Sequence, residues 1–443
     1  MTEVWPDGRE VNMGIPSWWT EVIGRVAEYQ SANPGNLPGA VFAVQTQQDG
    51  RLVAQVGTGW NNNTICEIGS MTKPFISAAT LLALEERGLL DIEMPVHQLP
   101  GMAGYADDPI KRQIKLRHLM QHTSGLPHFL KYTEWPRTVC NDPLGASPSC
   151  RNASLDLGPV SDYLGAPALT NECILADGRC QPARSLSLDQ VSEYIMQTYP
   201  VTATPPPGTQ YAYSTVNYVL LARIIEKVTG KSVNRYLQEK LFAPLEMKDS
   251  FFIAQKTGDP KTDQWMDDGV TEDQRRRIAD LTIITRDGNL PVEMAAGPRG
   301  VVDKFRTGWR FVNPDGGMFS TADDLLNFLQ MLKDGGSFRS RRILSPHLVR
   351  LLIQDQGHAH TMGFGYRSQA TPYGQSAGTL EHMGYKMTYF WYDPQPQAPL
   401  IGVFLSQRLP NVAVNTNLTE GLTVIFRVFV AALQSSAFRA SPA

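Results

Sequence analysis

Hydrophobic positions change their spacing along the chain, alternating near both ends and following helical periods in the middle. An apolar stripe predicts a helix over 16–30, and β-branched runs at 40–46 and 51–60 predict an antiparallel hairpin. Short strand-like runs return over 363–407, before a last amphipathic helix predicted near 417–434. We therefore expect an α+β fold, with an antiparallel β-sheet built from N- and C-terminal segments, flanking helices and an inserted, mainly helical subdomain.

One of the interior helical patterns is apolar on nearly every side. Predicted helices cover 75–84, 114–123, 188–198, 218–228, 233–241 and 322–333. The first of them meets polar residues only at its end, where Glu85 and Glu86 precede the capping glycine Gly88. A helix without a polar face is normally buried inside a large protein, so this helix should form the centre of the fold.

Pattern and length together indicate one domain over 1–443 with two subdomains. We expect an α/β subdomain at about 10–70 and 315–443, and a helical subdomain at about 75–314.

Two interior segments lack a periodic pattern. Periodicity fades over 129–186, as is typical of a lid-like insertion, and the charged region 255–308 predicts no element. Four of the five cysteines lie in the first segment: Cys140, Cys150, Cys173 and Cys180. Their spacing lacks the close pairs of zinc sites. Reduced thiols are the favoured interpretation, and two disulfides that pin the segment are the alternative.

Composition and charge narrow the range of partners. The 443 residues carry a formal net charge of -3, which gives no reason to expect nucleic acid or an anionic membrane. No uninterrupted apolar run reaches the roughly 18 residues of a membrane span. The N-terminal residues include acids and a proline where a secretory leader has its apolar core, so we expect a cytoplasmic protein.

Candidate chemistry lies at the start of the buried helix. Ser70 and Lys73 are three residues apart, a helical spacing that places two side chains on one face within roughly 5–6 Å. Backbone N–H groups and the helix dipole stabilise negative charge at such a position. A partly desolvated lysine has a lowered pKa and can act as a base. The pair is therefore a candidate activated nucleophile, although a capping serine beside a surface-reaching lysine is the simpler interpretation.

Three short motifs follow one another in a recognisable order: Ser70-x-x-Lys73, Tyr213-Ser214-Thr215 and His382-Met383-Gly384. Tyr213 or His382 alone would more often be a packing residue, but together the motifs resemble those of serine β-lactamases and penicillin-binding proteins. The chain is more closely similar to the class C β-lactamase-like hydrolases and esterases, a resemblance that covers roughly 37–407 apart from 129–186 and 255–308. It rests also on the connecting segments 116–127, 206–214, 218–230 and 316–336.

The resemblance implies a role for each matched residue. Ser70 would be the acylated nucleophile, and Lys73 would take its proton together with Tyr213, which would exist partly as phenolate. His382 stands where β-lactamases carry a lysine. The backbone N–H groups of Ser70 and Tyr385, the latter on the strand edge after the third motif, would form the oxyanion hole. No cofactor or metal is implied.

The chain departs from the family pattern where the substrate would be selected. Thr215 replaces the asparagine whose amide binds the amide of a β-lactam or peptide, and His382 replaces the lysine that favours a substrate carboxylate. Lys386 and Met387 follow Gly384 where small residues are common, so the pocket edge should be narrower. These departures disfavour an antibiotic or cell-wall substrate.

The leading hypothesis is a carboxylesterase-like serine hydrolase that acts through a Ser70 acyl-enzyme on small-molecule esters or amides. The alternatives are an acyltransferase that passes the acyl group to an alcohol or amine, a β-lactamase or D-amino-acid peptidase, and a non-catalytic scaffold member. The last is disfavoured because Ser70, Lys73 and Tyr213 are all present. In this family the segment 129–186 would border the pocket as a lid. The oligomeric state stays open.

Overall fold

The computed structural model describes residues 2–4, 10–12, 17–32, 37–46, 50–126, 173–176, 179–182, 187–198, 201, 205–253, 270–285, 288–291, 312–370, 375–384, 386–394 and 399–409. Its α-helices are α1 (Ser17–Ala32), α2 (Lys73–Glu86), α3 (Leu116–Met120), α4 (Leu188–Thr198), α5 (Val216–Thr229), α6 (Val233–Leu237), α7 (Glu272–Arg277), α8 (Ala322–Lys333) and α9 (Pro346–Ile353). Short 3-10 turns occur at Gly69–Thr72, Val96–Gln98, Ala103–Tyr105 and Lys111–Gln113.

The strands are β1 (Thr2–Val4), β2 (Glu10–Asn12), β3 (Ala40–Thr46), β4 (Gly50–Val56), β5 (Cys66–Glu67), β6 (Cys173–Ala176), β7 (Arg179–Pro182), β8 (Phe251–Phe252), β9 (Thr282–Thr285), β10 (Gly288–Pro291), β11 (Met318–Ser320), β12 (Ser337–Phe338), β13 (Arg341–Arg342), β14 (Gly365–Tyr366), β15 (Leu380–Gly384), β16 (Thr388–Asp393), β17 (Leu400–Leu405) and β18 (Arg408–Leu409).

A six-stranded antiparallel sheet combines strands from both halves of the chain. Its order is β14-β15-β16-β17-β3-β4, and β3 pairs with β17 so that Phe42 lies opposite Phe404. α8 packs on β3 and β17, and α1 packs on β4. β3 and β17 lie inside the sheet and under helices, so their side chains are buried. Their sequences are accordingly almost entirely apolar. The expected α+β architecture, with a sheet built from N- and C-terminal segments, is confirmed.

The helix predicted to be buried, α2, lies at the centre of the helical part of the core. Each residue from Lys73 to Leu84 is buried, and α5, α6 and α9 pack around the helix. Phe75 stacks on Phe328 of α8 at a ring-centroid distance of 4.0 Å and meets Phe242 edge-on at 6.1 Å. The helix therefore connects the sheet side of the protein to its helical side.

A small antiparallel sheet fixes the segment that precedes α2. β11 lies between β5 and β8, with Phe319 opposite Glu67. The Ile68 N–H donates to the Met318 carbonyl oxygen at 2.9 Å, and the Met318 N–H donates to the Thr72 hydroxyl at 3.2 Å. The turn that carries Ser70 is thus attached to a segment almost 250 residues later in the chain.

Several predicted elements differ from the observed ones. The helix predicted over 114–123 is shorter, Leu116–Met120, because the chain turns at His122, which has a φ of 58°. The helix predicted over 233–241 continues beyond α6 as a π turn, Gln238–Phe242. The region 255–308, where no element was predicted, contains α7 and the hairpin β9–β10. α9 was also not predicted.

Other predictions fall on residues that the structure does not describe. These are the helix near 417–434 and the segment 129–186 apart from the hairpin β6–β7. The lid and the cysteine pairing therefore stay predictions. In the described parts of the chain, every helix is too short or too polar to cross a membrane.

Truncation of Phe75 tests the central position of α2. Phe75→Ala should lower the free energy of unfolding by about 3–5 kcal/mol, because it leaves a cavity between Phe328 and Phe242. Phe75→Leu, which keeps most of the volume, should cost less than about 1.5 kcal/mol. Urea unfolding measures both. Equal stability of the wild type and Phe75→Ala would contradict the packing described here.

Candidate active site

Ser70 and Lys73 meet at the entrance to α2. Ser70 lies in the 3-10 turn Gly69–Thr72, and Lys73 is the first residue of α2. The Lys73 Nζ donates to the Ser70 Oγ at 3.0 Å and to the backbone carbonyl oxygen of Asp315 at 2.6 Å. The Asp315 carboxylate lies 3.7 Å from the same nitrogen. The hydroxyl and amine that the spacing placed on one face are therefore in direct contact.

The Lys73 amine is fully buried. Desolvation lowers the pKa of Lys73 to about 8, and the nearby Asp315 carboxylate opposes part of that fall. The rings of Tyr213 and Tyr218 lie 5.0 and 5.3 Å from Nζ, close enough to stabilise the ammonium form. Near neutral pH, Lys73 can therefore exist in both protonation states.

Tyr213 completes the contact around Ser70. Its hydroxyl is hydrogen-bonded to Ser70, and burial raises the pKa of the phenol well above its ordinary value. The resting side chain is therefore a protonated phenol. The partial phenolate expected from the sequence is wrong, because desolvation outweighs the effect of the hydrogen bond from Ser70.

His122 holds Tyr213 in place, a function that the sequence analysis did not identify. Its ring stacks on Tyr213 with centroids 4.3 Å apart. The His122 Nδ1 accepts a hydrogen bond from the Ser214 N–H at 3.0 Å, and the His122 carbonyl oxygen accepts one from the Ala212 N–H at 2.7 Å. These two bonds fix the backbone on both sides of Tyr213. The His-Thr-Ser-Gly turn at 122–125 is the sequence signal that could have drawn attention to this residue.

β15 brings the third motif to the same place. His382 is buried, whereas Met383, the next residue on the strand, points outward and is 47% exposed. A Cβ added to Gly384 would lie 2.2 Å from the Ile68 carbonyl oxygen, so the strand can approach the Ser70 turn only with glycine at this position. The Thr388 hydroxyl also donates to the Ile68 carbonyl oxygen, at 2.8 Å. Tyr385, the predicted second oxyanion donor, lies outside the described residues.

Thr215 directly precedes α5. Its carbonyl oxygen accepts from the Tyr218 N–H at 3.0 Å, while its side chain does not cap the helix. The nearby Asn217 is fully buried, and its Oδ1 accepts from the Ser124 hydroxyl at 2.7 Å. A substrate-binding role for Thr215 therefore stays a prediction.

His360 and Tyr211 also border the site, and neither was predicted from the sequence. The His360 ring is perpendicular to that of His122 at 5.2 Å and lies 5.8 Å from the Tyr211 ring. Burial lowers the pKa of His360 to about 4 and that of His382 to about 3, with a further contribution from the charge of Lys73. Burial also lowers the pKa of His122, so all three imidazoles are neutral at neutral pH.

A buried ion pair connects the loop after β15 to the segment before Ser70. The Lys386 ammonium contacts the Glu67 carboxylate, and both side chains are almost completely buried. The Lys386 carbonyl oxygen accepts from the Arg408 N–H at 3.1 Å, and the Gln407 Nε2 donates to the Glu67 carbonyl oxygen at 2.8 Å. Lys386 thus points into the protein, so its side chain does not contribute to the narrower pocket edge that we expected from Lys386 and Met387.

Removing one partner of this pair should destabilise the fold strongly. Lys386→Met leaves the Glu67 carboxylate buried without its cation and should lower the free energy of unfolding by about 3–5 kcal/mol. The double change to Met at both positions should recover much of that loss. Lys248→Met, at an exposed lysine, is the matched control and should stay within about 0.5 kcal/mol of wild type. Denaturant unfolding of Lys386→Met at the wild-type midpoint would refute the proposed stabilising role.

Comparison with known proteins is consistent with this geometry. The sequence matches the family profile described as Beta-lactamase over residues 26–422. A relative from Bacillus subtilis, named N-acetylmuramyl-L-alanine amidase, is 24% identical over 360 residues, which cover 75% of this chain and 67% of the relative.

Two solved structures show the same fold. The D-amino acid amidase from Ochrobactrum anthropi has a TM-score of 0.60 at 19% identity, covering 95% of this chain and 100% of its own. The hydrolase EstCE1, described as having promiscuous acyltransferase activity, has a TM-score of 0.61 at 20% identity, covering 93% and 98%. With the profile match extending over most of its length, the chain belongs to the Beta-lactamase family of serine hydrolases.

Proposed function

We propose that this chain hydrolyses carboxylic esters or small amides through an acyl-enzyme formed on Ser70. The observation that carries the proposal is the contact of 3.0 Å between the Ser70 Oγ and the Nζ of a fully buried lysine whose pKa is about 8. A hydroxyl becomes a useful nucleophile when a base with a pKa near the working pH can remove its proton.

Acylation follows from the hydrogen bonds at the site. The neutral Lys73 amine takes the Ser70 proton while Oγ forms a bond to the substrate carbonyl carbon. The tetrahedral intermediate collapses when the bond to the leaving group breaks. Tyr213, hydrogen-bonded to Ser70, gives its phenolic proton to the leaving oxygen or nitrogen and is reprotonated from the Lys73 ammonium.

The Ser70 backbone provides one donor for the oxyanion. The Ser70 N–H lies in the first turn of the 3-10 segment Gly69–Thr72, where backbone N–H groups have no acceptor within the helix. An unused donor at a helix entrance favours an oxygen that gains negative charge. We assign the second donor to Tyr385, which follows Gly384. Water then attacks the acyl carbon, loses its proton to the Lys73–Tyr213 pair, and Ser70 leaves as a hydroxyl.

The character of the site favours substrates without a carboxylate. His382 occupies the position of the lysine of β-lactamases, and it is neutral because burial lowers its pKa to about 3. Thr215 lacks the amide of the usual asparagine. The names of the relatives, an amidase from Bacillus subtilis among them, are the reason for including amides beside esters.

Covalent labelling tests the nucleophile. A fluorophosphonate or p-nitrophenyl ester should add one phosphonyl or acyl group to the wild type, and peptide mass spectrometry should place it on Ser70. Ser70→Ala should not be labelled. Ser77→Ala, which alters a buried serine two turns further along α2, is the matched control and should be labelled like the wild type. Labelling that persists in Ser70→Ala would refute the assignment.

The pH dependence of the reaction tests the base. Because Lys73 acts in its neutral form, kcat/KM should rise about tenfold per pH unit below about 8 and level off above it. His360 and His382 should add no inflection near pH 6.5, since their pKa values lie at about 4 and 3.

Two variants separate the base from the proton carrier. Tyr213→Phe should lower kcat by about 100-fold or more and keep the inflection near pH 8. Lys73→Arg should abolish that inflection, because a guanidinium stays protonated throughout this range. A wild-type profile that is flat between pH 6 and 9 would exclude Lys73 as the base.

A further inference from the structure

Backbone carbonyl oxygens fix the tautomer of two histidines at the site. The Nδ1 of His382 lies 3.1 Å from the Met383 carbonyl oxygen, and the Nδ1 of His360 lies 2.8 Å from the Thr361 carbonyl oxygen. A carbonyl oxygen can only accept a hydrogen bond, so each Nδ1 carries the ring proton. In a neutral imidazole the other nitrogen, Nε2, is then an acceptor with a free electron pair.

Neither Nε2 has a donor among the residues that the structure describes. The two side chains are nevertheless almost completely buried, at 4% exposure for His360 and 8% for His382. Neither Nε2 is among the fully buried side-chain atoms that lack a partner in the described part of the chain, so each acceptor can be reached by a ligand or water.

Both histidine side chains lie near enough to Lys73 for its charge to lower their pKa values. His360 forms an isolated β-bridge with Gly365 of β14, and Gly365 is paired with Glu381, the residue before His382. The turn that follows His360 reaches the first turns of α2, where a Cβ added to Gly363 would lie 2.9 Å from the Ser77 Oγ.

The imidazole of His122, which lies beside that of His360, has the opposite tautomer. His122 accepts the Ser214 N–H through Nδ1, so its neutral ring carries the proton on Nε2. Its ring stands perpendicular to that of His360. His122 thus binds the Tyr213 segment through Nδ1, and its Nε2–H is a buried donor without a partner among the described residues. His360 and His382 instead each present an acceptor.

We propose that His360 and His382 form a two-acceptor subsite beside Ser70, which binds an uncharged N–H or O–H donor of the substrate such as a primary carboxamide. The inference rests on the proposed function, because it assigns a substrate class to the same site. A carboxylate is rejected there, since its oxygens would face two electron pairs instead of donors. His360 lies outside all three motifs and is the specificity-determining residue of the pair.

Matched esters test the subsite on both sides of the scissile bond. One series is phenyl acetates whose leaving phenol carries a meta carboxamide, its N,N-dimethyl derivative or a carboxylate. The other is p-nitrophenyl esters of succinamic acid, N,N-dimethylsuccinamic acid and succinic acid. In at least one series, wild-type kcat/KM should be roughly tenfold higher for the carboxamide than for the dimethylamide, the order expected for one or two neutral hydrogen bonds. The carboxylate should be the poorest substrate.

Variants of His360 connect this preference to the acceptor. His360→Phe keeps a flat ring without an acceptor and should reduce the preference for the carboxamide to less than about threefold. His360→Gln retains an acceptor oxygen and should preserve part of it. His347→Gln, at an exposed histidine of α9, is the control and should leave the preference unchanged. Thermal unfolding and Ser70 labelling establish that each variant is folded.

The failure of this inference can be distinguished from failure of the proposed function. Wild-type protein that is acylated at Ser70 but does not prefer the carboxamide in either series overturns the subsite alone. An unchanged preference in His360→Phe has the same consequence. Absence of Ser70 acylation by any ester overturns the proposed function as well.

Discussion

The burial of one amine, that of Lys73, is the constraint on which the rest of the site depends. A fall in its pKa from 10.5 to about 8 corresponds to about 3 kcal/mol of penalty for the charged form relative to water. This penalty is what is left after the Asp315 carboxylate has opposed part of the desolvation, and the Ser70 hydroxyl, the Asp315 carbonyl oxygen and two tyrosine rings surround the same amine. The remaining penalty must be offset by packing elsewhere, and the apolar surroundings of α2 provide it.

The groups around Lys73 come from segments that are far apart in the chain, so backbone contacts must position them. The small sheet β5-β11-β8 brings Asp315 to Ser70, and the close approach of Gly384 to Ile68 brings β15 to the same turn. Neither contact tolerates displacement, because one is a strand register and the other leaves no room for a methyl group. The ion pair of Glu67 and Lys386 adds a third attachment beneath them.

The sequence predicted those features that depend on local pattern. The apolar character of 75–84 and the alternation at both ends were sufficient for the buried helix, the sheet and the α+β class. Ser70 and Lys73 were found because their contact lies within one helical turn. His122, His360 and Lys386 were missed as site residues, since their roles depend on tertiary contacts. The expected phenolate at Tyr213 failed for a related reason: the sequence shows which residues carry charge but not how deeply they are buried.

Electrostatics then limits what can bind. Protonation of any imidazole in the cluster would place a second positive charge near Lys73, and the charge of Lys73 in turn lowers the pKa of His360 and His382. Near neutral pH, the charge at this cluster is therefore carried by the Lys73 amine, while the rings of His122, His360 and His382 stay neutral. In such a site the histidines cannot attract an anion as a lysine would. They can only exchange hydrogen bonds, and the two carbonyl-fixed tautomers leave His360 and His382 as acceptors. Burial thus has two effects at this site. It makes Lys73 a usable base, and it keeps His360 and His382 neutral, so that they select a substrate as hydrogen-bond acceptors.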